Sequence, residues 1–493
     1  MTGAARAHHA GGRYPGWTKV APPALAAIVV GAVAAAAGQG VDPFLPFAAA
    51  VAALAGLSVL WIAAYVRPAV LLSIALLLAP FSGSWEQLGI PGALAPDRLV
   101  LAGAIVAVAV RTPGARDRSR FRAEPVHYLL GIAAVWAVAS AILSGTIFER
   151  EAFFGLLESY GILPYAAFAV APLVFRTERE RAVLLRALVL LGAYLGLTAL
   201  FETIGLRALV FPRYISDPTY GIQNSSWGRA RGPFTEAVTN GVALYACAVA
   251  AVVACVTWRG RAARASAAAV AVLCGLGALF TLQRAIWIGT ALASVFTLLA
   301  LRRLRRYVLP TFAAGIALVI GSLALVPGLE AKVVGRGTDR QPIYDRLNLN
   351  EAAFGAVGAH PLTGLGWHRF LDRNVDFFQQ AADRPLIQTA TVTQVLKVDI
   401  AREPVHNVFL GYAAELGLVG LSLWLLALAF GVGGALRTRP PPPLAYWRAG
   451  LVALTIAVLF ASATVPPANF PMLILWLWAG VVWAGRAPEA GTR

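Results

Sequence analysis

A few arginines and one histidine are the residues of this chain whose types could do chemistry. Arg284 stands in a short polar break between two apolar segments, and Arg231 comes shortly before another apolar segment. Arg346 lies in a long polar stretch that ends at His406 and Asn407, where a further apolar segment begins. A guanidinium binds phosphate oxygens in pairs, and a neutral imidazole can accept a proton from an attacking hydroxyl. Together these groups could hold a phosphate-bearing substrate and activate a nucleophile.

Four of these residues also have a simpler interpretation. Arg231 and Arg284 could be interfacial anchors whose charges reach water at the membrane surface. His406 and Asn407 could be a helix-capping pair, with Asn407 as the cap. A charge inside a membrane protein costs several kcal/mol unless it finds a partner, so the tight break around Arg284 favours a partnered arginine.

The composition indicates that the elements holding these residues are membrane-spanning helices. Of the 493 residues, 59% are hydrophobic and only 13% are charged, and the mean hydropathy is +0.70. A soluble domain has roughly a quarter of its residues charged, so this class is excluded. Because about 20 apolar residues cross a bilayer, we expect an all-α polytopic transmembrane helical bundle of about 12–14 spans. The candidate spans are 22–38, 43–64, 68–82, 97–110, 126–144, 157–175, 182–201, 237–257, 266–282, 285–301, 308–326, 406–433, 446–464 and 470–485.

The distribution of charge predicts how these spans are oriented. Cytoplasmic loops collect Arg and Lys. With a cytoplasmic N-terminus, the cytoplasmic segments hold 25 basic and five acidic residues, whereas the rest of the chain holds 16 basic and 19 acidic ones. The formal net charge of +17 is therefore explained by topology, and no nucleic-acid partner is expected.

With this orientation, we predict that the chain is divided into five parts. Residues 1–21 and 486–493 are cytoplasmic tails, while 22–326 and 406–485 form the transmembrane helices. Residues 327–405 form a large extracytoplasmic loop, which we call the cap. A connection of this length is uncommon unless it is functional, and its aromatic residues favour folded short helices over a disordered tether.

The combination of several guanidiniums and one imidazole beside lipid predicts a substrate class. It suits a diphosphate attached to a membrane-embedded tail, because arginines can bind the donor and stabilise the leaving diphosphate without a metal. Asp372 and Asp376 lack a third ligand and are interpreted as a solvated helix face. We therefore expect neither a metal nor a cofactor.

The glycines after His406 add a motif that resembles a known family. His406-Asn407 is followed, after nine residues, by Gly417 and then by Gly420. This order is similar to His-Asn-x9-Gly-x-x-Gly, a pattern of bacterial O-antigen ligases and related O-antigen polymerases. Leu421 stands where ligases often have a small or hydroxyl residue, so the choice between ligase and polymerase stays open.

Three further segments resemble the same superfamily and occur in its order, so that the motifs together cover about residues 230–422. They are Arg231-Gly232-Pro233-Phe234 leading to Asn240, Gln283-Arg284 where the family usually has Ser-Arg, and Arg346 upstream of His360-Pro361-Leu362-Thr363-Gly364-Leu365-Gly366.

The resemblance implies a glycosyltransferase of the lipid-carrier (GT-C) fold type in the bacterial cytoplasmic, or inner, membrane. Such an enzyme takes a glycan from undecaprenyl diphosphate. It transfers the glycan to a hydroxyl of a glycan or lipid-glycan acceptor outside the membrane, with inversion and without a metal. Its expected partners are therefore the lipid-linked donor, the acceptor and membrane lipid.

The resemblance also assigns roles by position. His406 is implied to be the base or the residue that orients the acceptor. Arg284 and Arg346 are implied to clamp the diphosphate, and Arg231 is a weaker candidate for the same clamp. The supporting residues are Asn407, Gly417, Gly420 and His360.

The alternative hypothesis is a transporter or flippase of lipid-linked saccharides. Such proteins often carry internal repeats and ionisable groups at mid-membrane. This chain shows no evident repeat, and Glu158, Glu202 and Glu415 lie near the ends of the predicted spans or stand singly. The enzyme hypothesis is therefore favoured.

Overall fold

The structure is a computed structural model that describes residues 56–90, 94–111, 123–220, 228–338, 341–377, 404–464 and 469–485. The predicted span 22–38, the first part of the span 43–64 and both predicted tails lie outside the described residues. Within those ranges the chain forms helices and turns, and no strand occurs among them. The prediction of an all-α polytopic membrane protein is confirmed.

The helices differ widely in length, and a π-helical turn, Gly155–Tyr160, joins α5 to α6. In chain order they are α1 (Gly56–Tyr65), α2 (Pro68–Leu78), α3 (Pro96–Arg111), α4 (Pro125–Leu143), α5 (Arg150–Phe154), α6 (Ile162–Val174), α7 (Glu178–Ile204), α8 (Ala237–Thr257), α9 (Arg261–Phe280), α10 (Arg284–Ala300), α11 (Val308–Leu325), α12 (Leu329–Thr338), α13 (Gln341–Ala359), α14 (Phe370–Phe377), α15 (Val408–Arg437), α16 (Pro442–Ser462) and α17 (Asn469–Trp483).

Most of these helices are apolar enough to lie in a membrane. Within the described residues, eight helical segments have the length and hydropathy of a membrane span, and α1, α2, α10 and α17 are shorter apolar helices. Helix α3 occupies the predicted span 97–110 but is not among these apolar helices, and it carries Asp97 and Arg98 near its start. In the cap, the described residues form α12, α13 and α14, while 378–403 lie outside the described residues.

Local sequence signals start several of the helices. Proline begins α2, α4 and α16, where the N–H that proline lacks would have no helical partner. Thr177 and Glu180 form a capping box at the start of α7. Asn407 caps α15, because its Oδ1 accepts a hydrogen bond from the backbone N–H of Leu410 at 3.1 Å.

Helix α17 lies at the centre of the bundle. Trp476 and Trp478 are fully buried, and Phe168 of α6 packs edge-on against Trp476 with ring centroids 5.5 Å apart. The Nε1–H of Trp478 donates to the carbonyl of Trp447 on α16 at 2.8 Å. A helix that is apolar on every side is stabilised by complete burial, so these 15 residues form an inner helix of the bundle.

Two contacts place the start of α8 among the other loops at one end of the bundle. The backbone N–H of Ala230 donates to the carbonyl of Phe280 at 3.0 Å, which brings the segment before α8 to the end of α9. Phe234 packs edge-on against Phe470 at the start of α17, with ring centroids 5.6 Å apart. Arg231 and Arg284, which flank these contacts in the chain, therefore lie at the same end of the bundle.

The start of α15 reaches the same end. The hydroxyl of Tyr412 donates to the carbonyl of Ser159 at 3.0 Å, and the hydroxyl of Ser159 donates to Oδ1 of Asn469 at 2.6 Å. Helices α8, α10, α15 and α17 thus all begin at this end, which we call the site end. His406, two residues before α15, lies there as well.

The opposite end of the bundle is basic. Its loops and helix ends contain Arg67, Arg176, Arg179, Arg259, Arg261, Arg264, Arg302, Arg305, Arg306, Arg437 and Arg439. Among the residues that the structure describes, the acidic ones at this end are Glu124, Glu178 and Glu180. The other acidic residues in the described ranges lie toward the site end, so the two ends of the bundle differ strongly in charge.

Candidate functional site

The cap packs directly on the first turns of α15. Ala352 and Ala356 of α13 and Phe370 of α14 share a buried apolar cluster with Val405 and Leu410, which flank His406 in the chain. Burial of apolar surface therefore holds α13 beside the segment that carries the histidine.

His406 is the residue of this segment that stays chemically available. The next residue, Asn407, caps α15, so the imidazole of His406 is not needed as a cap. His406 is partly buried, and its Nδ1 is buried without a hydrogen-bond partner in the described part of the chain. Burial and, secondly, the positive charge of Arg346 lower the pKa of His406 to about 4, against an opposing effect of the backbone of Pro404. The imidazole is therefore neutral at pH 7.

Arg346 is brought to His406 from sixty positions earlier in the chain. It lies on α13, is partly buried, and is near enough for its charge to act on the imidazole. The packing of α13 on α15 creates this pair, so the structure brings together two of the predicted site residues.

Arg284 is the first residue of α10 and is partly buried. The preceding turn is tight, with Leu282 at a positive φ of 51°. The hydrogen bond between Ala230 and Phe280 joins this turn to the segment that carries Arg231. The described contacts place Arg284 at the site end but do not join it directly to His406.

The guanidinium of Arg231 is engaged by the protein itself. It is 4% exposed and donates to the carbonyl of Ile215 through Nε and Nη2, at 3.1 and 2.9 Å, and to the carbonyl of Tyr220 at 2.7 Å. It also donates to the carbonyl of Asp217, and its backbone N–H donates to Glu202 at 3.4 Å. These contacts fix the loop before α8 to the end of α7.

Gly417 allows the cap to dock on α15. It has φ 72° and ψ 179°, which breaks the helix, and a Cβ there would overlap the carbonyl of Leu362. The broken turn pairs with the cap loop, because the N–H of Leu365 donates to the carbonyl of Ala414 at 2.8 Å. The N–H of Leu418 in turn donates to the carbonyl of Pro361 at 2.8 Å.

Gly420 and His360 support the same junction. A Cβ at Gly420 would lie 2.9 Å from Nε1 of Trp136, whose N–H donates to the carbonyl of Leu416 at 3.1 Å. His360 is exposed at the end of α13, and its carbonyl accepts from the N–H of Gly364 at 3.0 Å. Both residues thus help to hold the cap loop against α15.

The two aspartates of α14 form exposed ion pairs. Arg369 lies 3.2 Å from Asp372, and Arg373 lies 3.4 Å from Asp376. In the described part of the chain no group of three or more His, Cys, Asp or Glu is placed to hold a metal ion.

Several residues at the site end were not predicted from the sequence. Arg98 pairs with Glu158, and Asn469 donates to the same carboxylate. Glu158 could have been found from the sequence, because an acidic residue in an apolar span is a functional candidate by default. Asn469 lies at the start of a short apolar helix, and no sequence pattern marks it as functional.

Comparison with known proteins identifies a family for part of the chain. Residues 269–425 match the family model described as O-antigen ligase, and the matched stretch contains Arg284, Arg346 and His406. The match confirms the resemblance of this region to the O-antigen ligase and polymerase superfamily. No curated protein matches the chain. Fold and family together define a multi-pass helical membrane protein with a region typical of ligase- or polymerase-type glycan enzymes.

Proposed function

We propose that this protein transfers a glycan from undecaprenyl diphosphate to an acceptor hydroxyl outside the cytoplasmic membrane. The observation that carries the proposal is the neutral imidazole of His406 beside the guanidinium of Arg346, within the region that matches the O-antigen ligase family. A base and a fixed cation at one place are what glycosyl transfer from a diphosphate requires.

In the proposed reaction the acceptor hydroxyl gives its proton to His406. Its oxygen attacks the anomeric carbon of the donor sugar while the bond from that carbon to the diphosphate breaks, so the configuration inverts. Arg346 and Arg284 bind the departing diphosphate, whose negative charge grows in the transition state. Because guanidinium supplies this charge, the proposed mechanism uses no metal.

Arg231 has a different part in the proposal. Its guanidinium donates to the carbonyls of Ile215, Asp217 and Tyr220, so we assign it to positioning the loop beside Arg284. A direct contact with the diphosphate is not needed for this role.

The charge of the bundle supports an extracytoplasmic site. The end opposite the site is rich in arginine, and arginine-rich ends of membrane proteins face the cytoplasm. The acceptor would then reach the site from outside, and the donor from the outer leaflet.

The proposal is tested by incubating the purified protein with lipid-linked repeat units. A product ladder without added acceptor indicates a polymerase, and transfer only with added acceptor indicates a ligase. The His406→Ala variant should bind the donor but lose transfer. Donor that stays unconsumed by the wild-type protein under both conditions would contradict the proposal.

A further inference from the structure

The chain folds back along α7 directly after that helix ends at Ile204. A short helical turn, Arg207–Leu209, follows the end of the helix. The hydroxyl of Tyr194, ten residues before Ile204, then donates to the carbonyl of Phe211 at 2.7 Å. The same hydroxyl lies beside the side chain of Thr198, six residues before the end. At about 1.5 Å per residue, Phe211 therefore lies about 9 Å or more back along the helix.

The charges of α7 indicate where the apolar layer of the membrane lies along it. Arg186 is exposed on α7, and the helix carries no charged residue between Arg186 and Glu202. From Arg186 to Ile204 the helix rises about 27 Å, compared with about 30 Å for the hydrocarbon core of a bilayer. If Arg186 reaches the headgroups opposite the site end, Ile204 lies near the boundary at the site end. Phe211 then lies inside the apolar layer.

The loop 205–213 runs along the side of α7 that faces lipid. Leu190, Leu197 and Ile204 are exposed at intervals of seven residues, so they share one face of the helix. Tyr194, which holds the loop, is one turn beyond Leu190 and lies on the same face. The loop therefore separates part of α7 from the surrounding lipid.

The loop 205–213 has an apolar tip with an arginine on each side. Leu209 and Phe211 are 58% and 68% exposed, whereas Val210 between them is buried. Arg207 and Arg213 are exposed on either side of this tip. Large apolar side chains gain free energy by leaving water, and arginines at a membrane boundary extend to the headgroups. The pattern is that of a segment whose tip enters lipid.

Side chains of the protein satisfy backbone carbonyls of this loop. Nη1 of Arg213 donates to the carbonyl of Ala208 at 3.0 Å and to that of Arg207 at 3.5 Å. Tyr194 does the same for Phe211. Irregular backbone at membrane depth needs such partners, because no water is present to replace them. The loop therefore has hydrogen bonds that suit a segment outside water.

The returning part of the chain is fixed to the site end. The guanidinium of Arg231 donates to the carbonyls of Ile215, Asp217 and Tyr220, which follow the loop. These bonds connect the loop to the start of α8. The depth of the loop in the membrane is thus linked to the position of the site end.

We propose that the loop 205–213 is re-entrant and inserts Leu209 and Phe211 among the acyl chains of phospholipids, in the leaflet at the site end. Arg207 and Arg213 then lie at the level of the headgroups. This contact anchors the site end at a fixed depth in the bilayer. It does not depend on glycan transfer, so it can be tested separately from the proposed function.

The depth of the tip is measured with nitroxide labels on single cysteines. Leu209→Cys and Phe211→Cys are made in a chain that carries Cys255→Ser, since the other two cysteines are buried. Leu190→Cys, on the lipid face of α7, is the standard for lipid, and Asp376→Cys, on the exposed surface of the cap, is the standard for water. Each protein is placed in phosphatidylcholine and phosphatidylglycerol vesicles, and collisions with oxygen and with a water-soluble nickel complex are compared by electron paramagnetic resonance.

We expect the ratio of oxygen to nickel collisions at both tip positions to approach that at Leu190→Cys. It should exceed the ratio at Asp376→Cys by about tenfold, because polar solutes are excluded from hydrocarbon. A ratio as low as that at Asp376→Cys would place the tip in water and overturn the proposal. Few collisions with both reagents would mean that protein covers the tip, from this chain or a second copy, and would overturn it as well.

The wild-type protein allows a second test without any substitution in the loop. It is reconstituted with phosphatidylcholine that carries a photoreactive diazirine in its acyl chain, irradiated and digested with trypsin. Cleavage after arginine releases residues 208–213 from the tip and 370–373 from the cap. We expect a lipid adduct on 208–213 and none on 370–373. Adducts on the apolar helices without one on 208–213 would contradict lipid insertion.

The His406→Ala variant separates this inference from the proposed function. It should give the same lipid adduct as the wild type although transfer is lost. Lipid insertion in a wild-type protein without transfer activity would contradict only the proposed function. Transfer by a protein whose tip lies in water would contradict only the re-entrant loop.

Discussion

In the proposed mechanism, the effect of Arg346 on the pKa of His406 would weaken when the donor binds. In the empty site its positive charge adds to burial in lowering the pKa of His406 to about 4. In the proposed complex the diphosphate would offset this charge, so the imidazole would become a stronger base when there is a leaving group to be displaced. The arginine would thus couple donor binding to the strength of the base.

Removal of this charge should change the pH dependence of the reaction. We expect Arg346→Gln to raise the pKa of His406, because the imidazolium then meets less repulsion. The acidic limb of kcat/KM, near pH 4 in the wild type, should move to higher pH, so that the variant loses relatively more activity at pH 5. Arg373→Gln, at an exposed ion pair of the cap, is the control and should leave the limb in place. An unchanged limb in Arg346→Gln would show that the titrating base is another group.

The proposed clamp also depends on the shape of the guanidinium. Arg284→Lys keeps the positive charge but loses the paired donors, so we expect kcat/KM to fall about ten- to a hundredfold. Arg150→Lys, at an exposed ion pair of the site end, should change it little. Equal activity of the two variants in the transfer assay would argue that Arg284 is only an interfacial anchor.

At the scale of elements, the cap and α15 form one unit. The break of α15 at Gly417 exposes backbone groups that the loop from Pro361 to Gly366 then satisfies. A second anchor is Trp367, whose Nε1–H donates to the carbonyl of Ala152 at 2.8 Å. Because α13 is held by the same junction, the position of Arg346 depends on it.

Substitution of this glycine should loosen the cap. We expect Gly417→Ala to destabilise the protein by about 1–3 kcal/mol through the positive φ, and further through overlap with Leu362. Thermal unfolding and proteolysis within the cap loop measure the effect. Gly433→Ala is the matched control in the same helix, since the nearest atom to a Cβ there is 3.8 Å away, and it should be neutral or stabilising. Equal stability of the two variants would contradict the docking role of Gly417.

At the scale of the whole molecule, the two ends of the bundle differ in charge. The site end holds most of the acidic side chains, and the opposite end holds arginine-rich turns in the described ranges. Because arginine-rich ends of membrane proteins stay in the cytoplasm, this asymmetry supports the proposed extracytoplasmic position of the site end.

Cysteine labelling in intact cells tests this orientation. Phe148, which is 96% exposed at the site end, and Arg261, which is exposed at the opposite end, are each replaced by cysteine in a chain lacking Cys255. A maleimide that cannot cross the membrane should label Phe148→Cys but not Arg261→Cys until the cells are broken. The reverse pattern would place the site end in the cytoplasm and exclude an extracytoplasmic reaction.

The sequence by itself determined where the apolar helices lie and that the two ends of the bundle differ in charge. The span 237–257 agrees with α8, and 285–301 is shifted by one residue from α10, because apolar length and loop charge are local properties that the membrane selects. The family motifs also predicted Arg346 and His406 as site residues.

Only the tertiary structure decided which residues meet. Arg231 and Arg346 look alike in sequence, yet one guanidinium is engaged by loop carbonyls and the other lies beside His406. The break at Gly417 and the network of Glu158 and Asn469 join segments far apart in the chain. Such contacts arise from packing between helices, and no local pattern of polarity or spacing encodes them.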